Sequence, residues 1–274
     1  MRFFFLAALA AYIFAAVQSA LTFLTKRQGR ERVTLIVACV GFLAHAVTLA
    51  GLWQQEGFDA LFNLRAELSV LAWTVAFFYF ATRRRWQAQA IGSFLLPLVA
   101  TLMTVAALLP GRASGANELL TIEEAAWLLP VHTLLLLFAY AAFVVVFAAN
   151  VMYLLQEREL KSKTFGRVFH RLPSLATVEQ ITSTAVSLGW MLLTGGIITG
   201  MLWSATLGRG IWHNDPKEIL AGLTWLLYTL LLVDRSTRLF GRGRRGAWIG
   251  IAGFALVLCT FLGARFMGGY HIFN

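Results

Sequence analysis

Charged residues are scarce in this sequence. Aspartate, glutamate, lysine and arginine make up 13% of its 274 residues, whereas hydrophobic residues make up 59%. So little charge excludes an ordinary soluble domain, and the mean hydropathy of +0.71 is typical of a polytopic membrane protein.

Cysteine is also rare, and common catalytic motifs are missing. Cys39 and Cys259 each stand alone within an apolar run. They form neither a C-x-x-C pair nor a zinc-ligand spacing, so we expect both to be small core residues. The sequence contains no H-E-x-x-H, P-loop, G-x-S-x-G or Rossmann glycine pattern, and it therefore offers no motif for those enzyme classes.

Eight apolar runs predict eight transmembrane helices, because about twenty apolar residues in a helix span roughly 30 Å of hydrocarbon. The runs are Phe3–Leu24, Val33–Trp53, Leu68–Ala81, Ala90–Leu109, Val131–Leu155, Ile181–Leu207, Ile219–Val233 and Ala247–Met267. The third and seventh are short for a full crossing, and flanking polar turns with long basic side chains would lengthen them. We predict an all-α bundle of about eight transmembrane helices, forming a single domain over residues 1–274.

Basic residues are distributed unevenly along the chain. Of the 23 lysines and arginines, 17 lie in the loops that follow the first, third, fifth and seventh runs. Because loops rich in lysine and arginine stay in the cytoplasm, both termini are predicted to lie on the outer side. The net charge of +10 therefore indicates topology and requires no nucleic-acid partner. The basic segment 26–32 directly follows the first run, which favours a retained helix over a cleaved signal peptide.

A short polar segment, residues 203–218, separates the sixth and seventh runs on the predicted outer side. It contains Trp203 and Trp212, followed by Asp215-Pro-Lys217-Glu218. Tryptophan is common where helices leave a membrane, but the accompanying glycines and charges make this segment a candidate binding surface.

Two histidines lie on the same predicted side, although 139 residues separate them in the sequence: His132 and His271. Two neutral imidazoles beside an aromatic surface suit an iron porphyrin, which takes two axial nitrogen ligands. Cations on that side could pair with the porphyrin's propionates; they are Arg209, Lys217 and Arg265. An ordinary interfacial belt would have the same composition, and spacing alone leaves both interpretations open.

A further histidine, His45, lies inside the second apolar run. An imidazole at membrane depth is a candidate for a binding site or a transport path, and it can equally hydrogen-bond a neighbouring helix. Both interpretations stay open. His170 lies in a basic loop, where we expect it to be solvated.

With these residues the chain resembles the cytochrome c assembly family of haem-handling membrane proteins, of the CcsA, CcmC and HemX types. Trp203, Trp212 and the Asp-Pro-Lys-Glu run match that family's tryptophan-rich outer loop, the WWD domain. His132 and His271 fall where the family has its two outer histidines. The resemblance covers roughly residues 35–274. It departs at Asn214, where the family usually has tryptophan directly before the aspartate.

The resemblance implies that haem b is held at the outer face, with His132 and His271 as axial ligands, and presented to apocytochrome c. It also implies a bacterial inner-membrane location and a CcsB- or ResB-type membrane partner. Such a protein is at most a subunit of a haem-attachment synthase, which leaves its enzyme status open. Two alternatives stay open: a HemX-type regulator of the level of a haem-synthesis enzyme, and a transporter of another small molecule with His45 lining the path.

Overall fold

The computed structural model describes residues 2–25, 30–57, 63–110, 127–163, 166, 169–206, 208, 210, 215–237 and 243–263. In these ranges the chain forms helices and no strand. The α-helices are α1 Arg2–Leu24, α2 Arg30–Glu56, α3 Leu64–Trp86, α4 Gly92–Leu108, α5 Leu128–Ser162, α6 Leu175–Thr206, α7 Pro216–Thr237 and α8 Arg244–Leu258. Together with the 3₁₀ turn Gln89–Ile91 before α4 and the π-helical turn Cys259–Gly263 after α8, these helices form eight segments long and apolar enough to cross a membrane, which confirms the predicted fold class. The side on which the termini lie stays a prediction.

Helix α3 is longer than its apolar run, with 23 residues. The side chain of Asn63 accepts a hydrogen bond from the backbone N–H of Arg65 at 3.1 Å and caps the first turn. The last turn contains three consecutive arginines, residues 83–85. Their positive charges interact favourably with the negative end of the helix dipole. The apolar run alone is short for a membrane crossing, and these polar turns lengthen the helix at both ends.

Helices α5 and α6 also extend beyond their predicted runs. Helix α5 has 35 residues, which corresponds to about 50 Å. Its polar end includes an ion pair between Lys161 and Glu157, with 2.6 Å between Nζ and Oε1. Helix α6 begins at Leu175 because Ser174 caps it, accepting the backbone N–H of Thr177 at 3.2 Å.

The helices pack into two compact units. The first unit contains residues 1–112 and 151–181, hence α1 to α4 with the last turns of α5 and the first turns of α6. The second contains residues 113–150 and 182–274, hence most of α5 and α6 with α7 and α8. This division describes packing, and the single family domain over residues 1–274 stays a prediction.

Aromatic stacking holds the core of the second unit together. The rings of Phe143 on α5 and Tyr228 on α7 stack with centroids 3.7 Å apart, and both are fully buried. Phe147 on α5 stacks in the same way on Phe254 of α8 at 4.6 Å. Helix α5 is thus the element on which α7 and α8 pack in this unit.

The outer faces of the helices carry many large apolar side chains, as expected of helices that contact lipid. Phe3 and Leu108 are examples, with 75% and 80% of their surface exposed. The expectation that both cysteines are core residues is wrong: Cys39 on α2 and Cys259, at the start of a π-helical turn after α8, are exposed. An apolar residue in a membrane helix can face either lipid or the core. Hydropathy alone does not distinguish these two positions.

Candidate functional site

The imidazole of His132 lies in the second turn of α5, against the backbone of α6. Its Nδ1 is 2.7 Å from the carbonyl oxygen of Gly196. Because a carbonyl can only accept, Nδ1 carries the proton and donates it. In the neutral ring the lone pair is then on Nε2, the tautomer that histidine ligands of metals use when the other nitrogen donates to a carbonyl.

Two glycines allow this close contact between α5 and α6. A Cβ on Gly200 would lie 2.6 Å from Cε1 and 2.7 Å from Nδ1 of His132. A Cβ on Gly196 would lie 2.5 Å from Cδ2 of Leu136 on the same face of α5. The spacing Gly-x-x-x-Gly is typical of close helix contacts in membranes, and sequence reasoning missed its role here.

Trp203 lies on the same side of α6 as the contact with His132. It follows Gly200 by three residues, which places it one turn further, about 4.5 Å along the axis. The indole is half-buried. In the next position, the Ser204 hydroxyl donates to the carbonyl oxygen of Gly210 at 2.9 Å, which ties the end of α6 to the segment beyond it. The structure thus brings His132 and Trp203 to the same end of α6.

The Asp-Pro-Lys-Glu run begins helix α7. Asp215 is 4% exposed, and its Oδ1 accepts the backbone N–H of Lys217 at 2.9 Å. Its carbonyl oxygen accepts the backbone N–H of Ile219 at 3.1 Å. Asp215 is therefore the N-cap and Pro216 the first helical residue, positions that both residue types favour.

Glu218 occupies the third helical position, as in a capping box. Sequence reasoning assigned Asp215, Lys217 and Glu218 to a binding surface and missed the capping pattern, although D-P-x-E was its signal. Lys217 and Glu218 are half-buried in the first turn of α7.

Reciprocal hydrogen bonds join α6 and α7, the helices that precede and follow residues 207–214. The indole N–H of Trp190 donates to the Thr229 hydroxyl at 2.7 Å, and that of Trp225 donates to the Thr194 hydroxyl at 2.9 Å. The indole rings lie 5.7 Å apart. Each helix contributes a Trp-x-x-x-Thr pair, a repeated spacing that could have been recognised in the sequence. This network fixes the separation of the two helices in the apolar region.

His45 lies in the first unit and is fully buried. Its Nε2 is 2.9 Å from the hydroxyl oxygen of Ser69 on α3. Its ring packs edge to face on that of Tyr12 of α1, with 5.8 Å between the ring centroids. These contacts support the alternative in which His45 joins neighbouring helices. His170 is exposed, as expected.

The remaining predicted site residues lie outside the described residues: Trp212, His271, Arg209 and Arg265. Of the predicted outer site, the structure describes His132, Trp203, Asp215, Lys217 and Glu218.

Comparison with known proteins gives consistent matches over most of the chain. The model of the family described as "Cytochrome C assembly protein" matches residues 61–271. "Cytochrome c biogenesis protein CcsA" of Synechococcus sp. (strain CC9311) is 27% identical over 270 residues, which cover 88% of each chain. The protein of the same name from Pyropia yezoensis is 24% identical over 283 residues, covering 90% of this chain and 88% of the relative. The matched region begins just before α3 and ends at His271, so it contains every predicted site residue except His45.

Proposed function

The chain belongs to the cytochrome c assembly protein family, and we propose from that premise that it acts in the biogenesis of c-type cytochromes by holding haem b at the outer face of a membrane. Relatives of similar length carry the name cytochrome c biogenesis protein CcsA. The observation that carries the proposal is the hydrogen bond from His132 to the carbonyl of Gly196, two turns before Trp203 on α6.

The surroundings of His132 suit an axial ligand of haem iron. A histidine ligand needs its second nitrogen fixed by an acceptor, and the Gly196 carbonyl is such an acceptor. Because Gly200 has no side chain, the imidazole lies against the backbone of α6, where an added Cβ would be 2.6 Å from the ring. Trp203, one turn away, supplies apolar surface for a porphyrin face. We propose that His271 would supply the second histidine that holds the haem iron.

The other predicted residues would hold and orient the group. Trp212 adds a second indole, while Arg209, Lys217 and Arg265 pair with the two propionates. Asp215 and Glu218 act in a different way, because they begin α7 and thereby fix where Lys217 lies. When bound, haem supplies the vinyl groups to which the cysteine thiols of apocytochrome c become attached. Holding the haem and the thiols in the correct orientation would account for much of the acceleration of this attachment.

The proposed partners are apocytochrome c and a CcsB- or ResB-type membrane protein. The chain is then the haem-holding subunit of an attachment complex. A bacterial inner membrane is the proposed location, with the surrounding lipid against the exposed apolar faces of the helices. The charge distribution gives no reason to invoke a nucleic-acid partner.

Complementation tests this function in a bacterium that lacks its own haem-attachment gene. The wild-type chain, with its partner where the host requires one, should restore covalent haem in c-type cytochromes, measured by haem staining of denatured gels. His132→Ala should fail, and His170→Ala should succeed. Restored cytochromes with His132→Ala would refute the role of this ligand. Normal cytochromes with altered porphyrin levels in a strain that has lost the gene would instead support the HemX-type regulator.

A further inference from the structure

The first unit contains a polar cavity of about 620 Å³, and none of the residues proposed to hold haem line it. It lies where the ends of α1 and α3 meet the beginnings of α2 and α4, and the 3₁₀ turn Phe169–Arg171 closes one side. Its volume falls within the range of small-molecule sites, roughly 300–1,000 Å³. Its size and polarity make this cavity a candidate binding site for a small polar ligand.

Positive charge exceeds negative charge in the described lining. Arg83 and Arg171 line the cavity together with a single carboxylate, that of Glu31, and His170 adds an imidazole. Guanidinium groups bind phosphate and carboxylate oxygens through paired N–H donors, and a partly enclosed site strengthens such bonds. The lining therefore favours an anion.

The guanidinium group of Arg171 is held in position. Nη1 of Arg171 donates to the carbonyl oxygen of Thr22 at 2.5 Å and also to that of Phe23, at the end of α1. Arg83 lines the cavity beside Tyr79 of the same helix. Each guanidinium has five N–H donors, so the bonds of Arg171 orient that group and leave donors for a ligand.

Hydroxyl groups and the amide of Gln89 form the rest of the polar lining. Ser19 and Ser93 face each other with 3.1 Å between their oxygens, and Ser93 also donates to the Ser19 carbonyl at 3.0 Å. Thr22, Thr25 and Thr34 contribute further hydroxyls. Such a wall suits a ligand that carries hydroxyl groups beside its anionic centre.

The position of the cavity identifies the source of that anion. The cavity lies at the end of the helices where the basic segments 26–32 and 83–85 are found, the side predicted to face the cytoplasm. Basic pockets between transmembrane helices on this side recognise phospholipid headgroups. We propose that the cavity binds the phosphate and glycerol of an anionic phospholipid headgroup, with Arg83 and Arg171 on the phosphate.

Native mass spectrometry of the purified full chain tests this proposal with two short-chain lipids, dioctanoyl phosphatidylglycerol and dioctanoyl phosphatidylcholine. The wild type should retain phosphatidylglycerol in preference. Arg83→Gln should weaken that retention about 10-fold, the loss expected for one charge-assisted hydrogen bond. The matched control is Arg84→Gln, because Arg84 is the exposed neighbour on the same turn and does not line the cavity.

A second variant guards against a folding defect in the first. His170→Gln changes an exposed residue of the cavity wall and should weaken retention of phosphatidylglycerol without lowering the unfolding temperature of the lipid-free protein. Equal retention of the two lipids, or equal behaviour of Arg83→Gln and Arg84→Gln, would overturn the proposal. Inorganic phosphate should displace phosphatidylglycerol from the wild type. Binding of inorganic phosphate without any retention of phosphatidylglycerol would overturn the lipid assignment.

Discussion

Gly200 of α6 and His132 of α5 are in such close contact that a single added carbon at Gly200 would lie 2.6 Å from the imidazole. The same imidazole donates to the carbonyl of Gly196, one turn earlier on α6. The position and the tautomer of the proposed haem ligand therefore depend on a helix other than its own. This relationship makes the ligand hypothesis testable without changing the histidine.

Gly200→Ala should lower haem affinity on the order of 10-fold to 100-fold, as expected when the hydrogen-bond partner of a metal ligand is displaced. The added methyl pushes the ring away from the Gly196 carbonyl. Haem titration of the purified variant, followed by absorbance, measures the effect. Gly195→Ala is the control, because its Cβ would meet Leu135 at an ordinary 3.5 Å. Equal affinities of the two variants would contradict the proposed role of the contact.

Asp215 should be replaceable by asparagine but not by alanine. As the N-cap of α7, it supplies a side-chain oxygen that accepts the Lys217 N–H, which an asparagine also offers, and loss of such a cap costs about 1 kcal/mol. Asp215→Ala should therefore lower the unfolding temperature and haem retention, while Asp215→Asn should resemble the wild type. An asparagine variant as impaired as the alanine variant would show that the negative charge itself is needed.

The network between α6 and α7 should contribute measurably to stability. Thr229→Val removes the acceptor of the Trp190 indole, and we expect a loss of roughly 0.6–1.7 kcal/mol, the range for hydrogen bonds between membrane helices. Thr224→Val is the matched control on α7, since that buried hydroxyl donates only to the Leu220 carbonyl of its own helix. A double-mutant cycle with Trp190→Phe isolates the pair. Zero coupling energy would contradict the interpretation of the network.

Ser69→Ala should destabilise the chain and leave haem binding unchanged. It removes the partner of His45 Nε2, and a buried polar atom without a partner costs about 1–3 kcal/mol. Thr74→Val, on the same helix, is the control, because the Thr74 hydroxyl donates to Leu71 within α3. Reversible unfolding in mixed detergent measures the difference. A lost haem spectrum in Ser69→Ala would instead support a haem-binding role for His45.

The number and order of the helices could be predicted from the sequence, because burial in lipid demands long apolar runs. The helix ends could not be placed by hydropathy. Asn63, Ser174 and Asp215 each begin a helix through a local hydrogen bond, and the polar turns they add carry no hydropathy signal. These caps have short sequence patterns of their own, which a search for capping residues would detect.

The candidate site was predictable only in part. Membrane topology placed His132 on the same side as Trp203, since consecutive spans alternate in direction, and the structure brings both to one end of α6. The contact of His132 with Gly196 and Gly200 depends on which faces of α5 and α6 meet. Helix periodicity does not specify that choice in a bundle where most faces are apolar.

Haem binding by His132 and His271 is tested most directly by the optical spectrum of protein purified in detergent from cells that make haem. The wild type and His170→Ala should show the Soret and α/β bands of six-coordinate haem. His132→Ala should lose that spectrum, as should His271→Ala. A wild-type spectrum from the variant that lacks both His132 and His271 would contradict the account.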